Sequence, residues 1–321
     1  MRIRHAPGIF VFLLALVFLT GCLFRTRIQE RHLSTAPLKD ATLEQLIANI
    51  NSQATRLQSV DARVDIDLSA SRQKKGKANE YKITDYPEIS GFVLVRKPEM
   101  LRIRGLVPVA RNQLFDAVSN GKNFELSIPP KNKFIVGSNR IVKPSAEPLY
   151  NLRPQHIFDA LLLKEVDLKN EIAYLEQGTE VVKDSKTHKD VDQADYEVVI
   201  IRHEDNGWYL SRKIIFSRED LQPHRQLIYN RQGQIMTDAQ YDTFTNYSGI
   251  LFPAKIHIER PLENYSIELN ITKLAVNAPL RDDQFVLNQP PGSQLINVDQ
   301  KNGNSTAENS QPSAENPKPM H

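Results

Sequence analysis

Apolar and polar positions along the chain follow two different periods. Leu43, Leu46, Ile47, Ile50, Ala54 and Leu57 recur at helical spacing, with Glu44, Asn49, Ser52 and Arg56 opposite them. This predicts one amphipathic helix, opened by a Thr42–Gln45 capping box with Asp40 as a competing N-cap. The period then falls to two. Val60, Ala62, Val64, Ile66, Leu68 and Ala70 alternate with Asp61, Arg63, Asp65, Asp67, Ser69 and Ser71, which predicts a strand with one apolar and one wet face. The carboxylates of that strand read as solvated. Gln73 to Tyr86 is charged and aperiodic and reads as a loop.

Ile89 to Arg96 reads as a second strand, apolar on both faces, so its core side is not decided by pattern. A turn at Lys97–Pro98–Glu99 leads into Met100 to Arg104, where Leu101 and Ile103 oppose Arg102 and Arg104. The loop that follows is apolar: Leu106, Val107, Pro108, Val109 and Ala110. Hairpins are expected about Asn120–Gly121, Asn206–Gly207, Gln232–Gly233 and Pro261 to Asn264, with a short strand at Lys133 to Val136. Pro154 suits the first position of a second helix bearing Ile157, Phe158, Leu161 and Leu162. Such spacing predicts a mainly β protein built on one antiparallel sheet, strongly curved or nearly closed.

The N-terminus adds a different signal. Arg2 and Arg4 precede an apolar run, Gly8 to Leu19, and a small-residue site ends at Cys22. The run of roughly 12 residues would rise only about 18 Å as a helix, short of the ~30 Å hydrocarbon core. It reads as a secretory signal, residues 1–21. Leu19–Thr20–Gly21–Cys22 resembles a bacterial lipobox, which implies cleavage before Cys22 and acylation of its thiol. Residues 22–40 are then a polar tether, 41–298 the folded domain, and 299–321 a disordered tail rich in Asn, Ser, Pro and Glu.

Charge and chemistry exclude more than they assign. The net charge is +3, with two of the positive groups at Arg2 and Arg4, so no nucleic-acid partner is expected. Cys22 is the single cysteine, so no disulfide, thiolate cluster or CxxC redox pair can form. The eight histidines show no metal-binding spacing, and neither a P-loop, GxGxxG nor GxSxG occurs. Adjacent Asp282 and Asp283 read as loop solvation. No nucleophile–base arrangement is visible, so neither an enzyme nor a cofactor is expected.

Several motifs, in order, resemble the LolA/LolB lipoprotein-sorting superfamily. Near the C-terminus these are Phe252–Pro253–Ala254–Lys255–Ile256–His257–Ile258, Asn277–Ala278–Pro279–Leu280, Asp283–Gln284–Phe285 and Pro290–Pro291–Gly292. Arg96–Lys97–Pro98–Glu99–Met100–Leu101–Arg102 resembles the family's Lys-Pro-acid hairpin. The resemblance implies an incomplete antiparallel β-barrel, a half-barrel with a helical lid, whose apolar hollow receives acyl chains of lipoproteins or phospholipid. It implies an outer-membrane lipoprotein facing the periplasm, anchored by acylated Cys22, that assists lipoprotein localisation or insertion, with a periplasmic carrier protein as a partner. Leu23 rather than aspartate after the cysteine agrees with the outer membrane. A lipid-sensing regulator or scaffold of the same fold is the alternative. Expected lining residues are Val64, Ile66 and Leu68, then Phe92 and Leu94, then Leu101 and Ile103. By likeness to the anchored LolB members, Leu106, Val107 and Val109 form a membrane-contacting loop.

Overall fold

The computed structural model describes residues 32–73, 81–107, 110–140, 151–183, 189–205 and 207–299. In chain order its elements are β1 (His32–Leu33), α1 (Leu43–Arg56), β2 (Ser59–Gln73), β3 (Tyr81–Asp85), β4 (Ile89–Arg96), β5 (Met100–Leu106), β6 (Gln113–Ser119), β7 (Asn123–Ile128), β8 (Lys133–Ser138), α2 (Pro154–Leu161), β9 (Glu171–Lys183), β10 (Asp190–Glu204), β11 (Gly207–Ser217), β12 (Pro223–Tyr229), β13 (Ile235–Tyr247), β14 (Ile250–Arg260), β15 (Tyr265–Val276) and β16 (Gln294–Asn297). The signal segment, Cys22, most of the tether, Val109 and residues 300–321 lie outside the described residues.

The chain divides into two units. Of the described residues the small one takes in 32–35, 180–183 and 189–193. Within it β1 runs parallel to β10, His32 opposite Val191 and Leu33 opposite Asp192. Within the expected tether only His32 and Leu33 are strand, and the described residues from 34 to 40 form neither helix nor strand.

In the large unit the strands follow the path β10-β11-β12-β13-β14-β15-β2-β4-β5-β6-β7-β8-β16, with β3 beside β2 and β9 beside β10. The path is open, since its two ends do not pair. β2 is its pivot: Ile66 faces Leu269 of β15 on one side and Ile89 of β4 on the other. Val60, Ala62, Val64, Ile66 and Ala70 are buried, as strict alternation requires of a strand packed on one side.

One expected loop is corrected. β3 pairs antiparallel with the end of β2, Ser69 opposite Asp85 and Ala70 opposite Thr84, so much of the Gln73–Tyr86 stretch continues a ribbon. β9 was not anticipated. Its inner positions carry Glu171 beside Ala173 and Leu175, and its outer ones carry exposed Ile172 and Tyr174, so no alternation marks it. Nor was β16, which adds in parallel to β8.

Both helices start where expected. The Thr42 N–H donates to Gln45 Oε1 at 2.9 Å, and the Gln45 N–H to Thr42 Oγ1 at 3.4 Å. Leu46 and Ile50 of α1 pack with Val198, Ile200, Ile214 and Phe216 of β10 and β11. α2 begins at Pro154, whose missing N–H costs nothing in a first turn. It packs against β5, β6 and β13, and Ile157, Phe158, Ala160 and Leu161 join the main core.

Candidate functional site

On the apolar face of the large unit, beside α2, lies a cavity of about 410 Å³. Its walls follow from strand register. Ile103 of β5, Ala117 of β6 and Leu126 of β7 are successive cross-strand partners, and all three line it. On the other side Leu68 of β2 pairs with Ile267 of β15, and both line it with Ile66 and Ile89. Leu152 to Pro154 and Ile157 supply the wall formed by α2 and its lead-in, and Tyr265 contributes from β15.

Two glycines let the side chains of this wall pack close to the backbone. Gly91 and Gly105 stand opposite one another on β4 and β5. A Cβ on Gly105 would lie 2.4 Å from Phe115 Cε1 and 2.8 Å from Ile89 Cδ1, two side chains that line the cavity. A Cβ on Gly91 would lie 2.6 Å from the Arg104 carbonyl oxygen and 2.9 Å from Ile66 Cδ1. The lining side chains therefore lean over two positions that carry none. Glycine inside a strand is the signal that marks such close approach.

Of the residues anticipated as lining, Ile66, Leu68 and Ile103 stand at the wall. Val64 and Leu101 are buried in the same core away from it. Phe92 and Leu94 are corrected: they lie on the opposite face of β4, where Ile89, Val93 and Val95 take the buried positions. Phe92 is 37% exposed, with the Arg63 guanidinium 5.8 Å from its ring centroid. That outer face is ionic. Buried Asp116 accepts from Arg102 Nη2 at 2.7 Å and Arg104 Nε at 3.0 Å. The segment bearing Phe285 lies across it: Arg96 bonds the Leu280 carbonyl, and Arg102 the Gln284 carbonyl. Of the apolar loop, Val107 lines the cavity and Leu106 ends β5, both half-buried.

Sequence reasoning missed Ala117, Leu126, Ile157, Tyr265 and Ile267, although each sat in an expected strand or helix. What it lacked was the order in which the strands assemble.

Solved structures resemble this chain at low identity. One is a LolA superfamily protein from Nitrosomonas europaea, 13% identical, with a TM-score of 0.44, covering 77% of this chain and 99% of that one. A second is described as an outer membrane lipoprotein-sorting protein domain from Vibrio parahaemolyticus, 12% identical, TM-score 0.45, covering 75% and 94%. A third is a DUF1329 family protein from Desulfovibrio piger, 13% identical, TM-score 0.44, covering 75% and 94%. Two of these three neighbours are described as LolA-superfamily or lipoprotein-sorting proteins. No protein-family model and no curated protein matches the chain significantly.

Beneath the cavity sits a buried polar cluster. His156 Nδ1 lies 3.2 Å from the Tyr265 hydroxyl, and Arg260 holds Glu263 through Nε at 3.0 Å and Nη2 at 2.9 Å. Burial, then Arg260 and Arg153, hold the His156 imidazole well below its ordinary range. Burial pushes the Tyr265 phenol up to about 12. Among the described residues no cluster of three or more His, Cys, Asp or Glu is placed to hold a metal.

A pH dependence follows. The unfolded chain takes up a proton at His156 near its unperturbed value, whereas the folded chain refuses it until lower pH. This contribution is complete above about pH 6.5 and is lost as pH falls, by at most about 1.4 kcal/mol per unit. Between neutral and mildly acidic pH the urea midpoint of wild type should fall further than that of His156→Gln. Equal acid sensitivity of the two proteins would contradict it.

Proposed function

We propose that the chain shelters one acyl chain in this cavity and works without covalent chemistry. Tethered at the outer membrane through acylated Cys22, it assists the localisation or insertion of lipoproteins or lipids. The observation that supports this reading is an apolar cavity of about 410 Å³ walled by Ile, Leu, Phe and Ala side chains. That volume falls within the ~300–1,000 Å³ usual for small-molecule sites. Apolar cavities stay dry and take apolar guests. Each methylene moved into it from water gains about 0.8 kcal/mol. In this reading the sheet is a half-barrel and α2 its lid. Pro154 and Ile157 form part of the wall, so a shift of the helix changes the space available for loading and release. Leu106, Val107 and Val109 form the loop that meets the bilayer.

The test is chemical. Full-length protein purified without added lipid should yield fatty-acyl species on organic extraction and mass spectrometry. After delipidation it should bind a neutral apolar fluorophore such as aminoanthracene saturably. An extract without acyl species, together with no saturable probe binding, would overturn the proposal.

A further inference from the structure

The cavity's walls are apolar, but its charged members are all of one sign. The lining includes Lys131 and Arg153, and the phenols Tyr86 and Tyr265, but no Asp or Glu. Arg153 is buried and built into the wall. Its Nε donates to the Ser138 carbonyl at 2.9 Å and its Nη1 to the Leu152 carbonyl at 3.1 Å. Its guanidinium carbon lies 4.7 Å from the Phe124 ring centroid.

Lys131 is placed differently. It ends the 3-10 turn Pro129–Lys131 between β7 and β8. It is exposed, as are Tyr86 and Pro87, which border the same cavity. The opening therefore lies between the β3–β4 link and the β7–β8 turn. Among the described residues Lys131 makes no ion pair. Asp85 and Glu88 are exposed beside this opening, and neither contributes to the wall. A lysine at such a lip lays its methylene stem along apolar surface and keeps its ammonium in water.

We propose that the cavity selects anionic amphiphiles, one acyl chain entering tail-first with its carboxylate or phosphate head at Lys131. This rests on the acyl-binding reading above and adds the ligand's charge to it. The apolar walls accept any alkyl tail of suitable length, so they cannot discriminate between head groups. Discrimination falls to the lip, where the ammonium of Lys131 attracts an anion and offers a neutral hydroxyl little. An exposed ion pair of this kind is worth about fivefold in affinity, and salt weakens it.

The experiment is displacement of aminoanthracene from the full-length delipidated protein by laurate, dodecyl phosphate and dodecanol, three ligands with one tail. Wild type should prefer at least one anion over the alcohol by about fivefold at low salt. The margin should shrink at high salt. K131E should lose it and K131Q should reduce it. Preference for laurate points to fatty acids, and preference for dodecyl phosphate to phosphate-headed lipids. Equal displacement by all three in wild type, or an unchanged margin in K131E, overturns the inference while leaving acyl binding intact. Failure of all three to displace the probe overturns both.

Discussion

Ala117→Phe should all but abolish acyl-chain binding while leaving the protein folded. Ala117 is the small middle member of the row Ile103–Ala117–Leu126, and its side chain meets the cavity. A phenyl ring added there displaces roughly five ligand methylenes, worth ~4 kcal/mol at about 0.8 each. That corresponds to close to a thousandfold in affinity. Enlarging a side chain in a filled core is destabilising because neighbours must move. Here the ring enters space already empty, so the unfolding free energy should change by no more than about 1 kcal/mol. Leu94→Ala is the control. Leu94 lies on the other face of the sheet, and its loss should leave ligand affinity unchanged. Unaltered titration of Ala117→Phe with laurate would place the ligand elsewhere on the molecule.

The second large effect concerns stability. Glu171 has a fully buried side chain that accepts from Arg202 Nη2 at 2.6 Å and Arg212 Nη2 at 3.3 Å. It also accepts the Asp167 N–H at 2.9 Å. Arg212, itself only 6% exposed, donates to the carbonyls of Lys164 and Glu165, both at 2.7 Å. The cluster therefore fastens the link between α2 and β9 to β10 and β11. Removing the carboxylate strands a buried guanidinium. Burial already lowers the Arg212 pKa, with Glu171 the main opposing influence. Glu171→Ala should lower unfolding free energy by about 3–5 kcal/mol, the usual result of breaking a buried pair from one side. Glu176→Ala removes a half-exposed partner of Lys213 and should change it by less than about 1 kcal/mol. Similar denaturation midpoints for the two variants would mean that the Glu171 cluster does not hold the fold.

Much of the secondary structure was legible residue by residue. The Thr42–Gln45 pair, Pro154 and the alternation of β2 all act over a few neighbours in sequence, and each element formed where its signal stood. Elements whose signal depends on distant partners were not legible. Glu171 is buried because Arg202 and Arg212 arrive from strands 31 and 41 residues away. The face of β4 was undecidable from pattern, because Ile89, Val93 and Val95 on one side are matched by Phe92 and Leu94 on the other.

The chain's own periodicity determined that this protein is mainly β, where its two described helices begin, and which side of β2 is apolar. Backbone geometry and near-neighbour hydrogen bonds suffice for those choices. Only the tertiary structure decided that the strand path stays open, that Phe92 and Leu94 turn away from the cavity, and that Phe115 packs down onto Gly105, opposite Gly91. A cavity is a volume that several strands decline to fill together, and no single stretch of sequence carries that information.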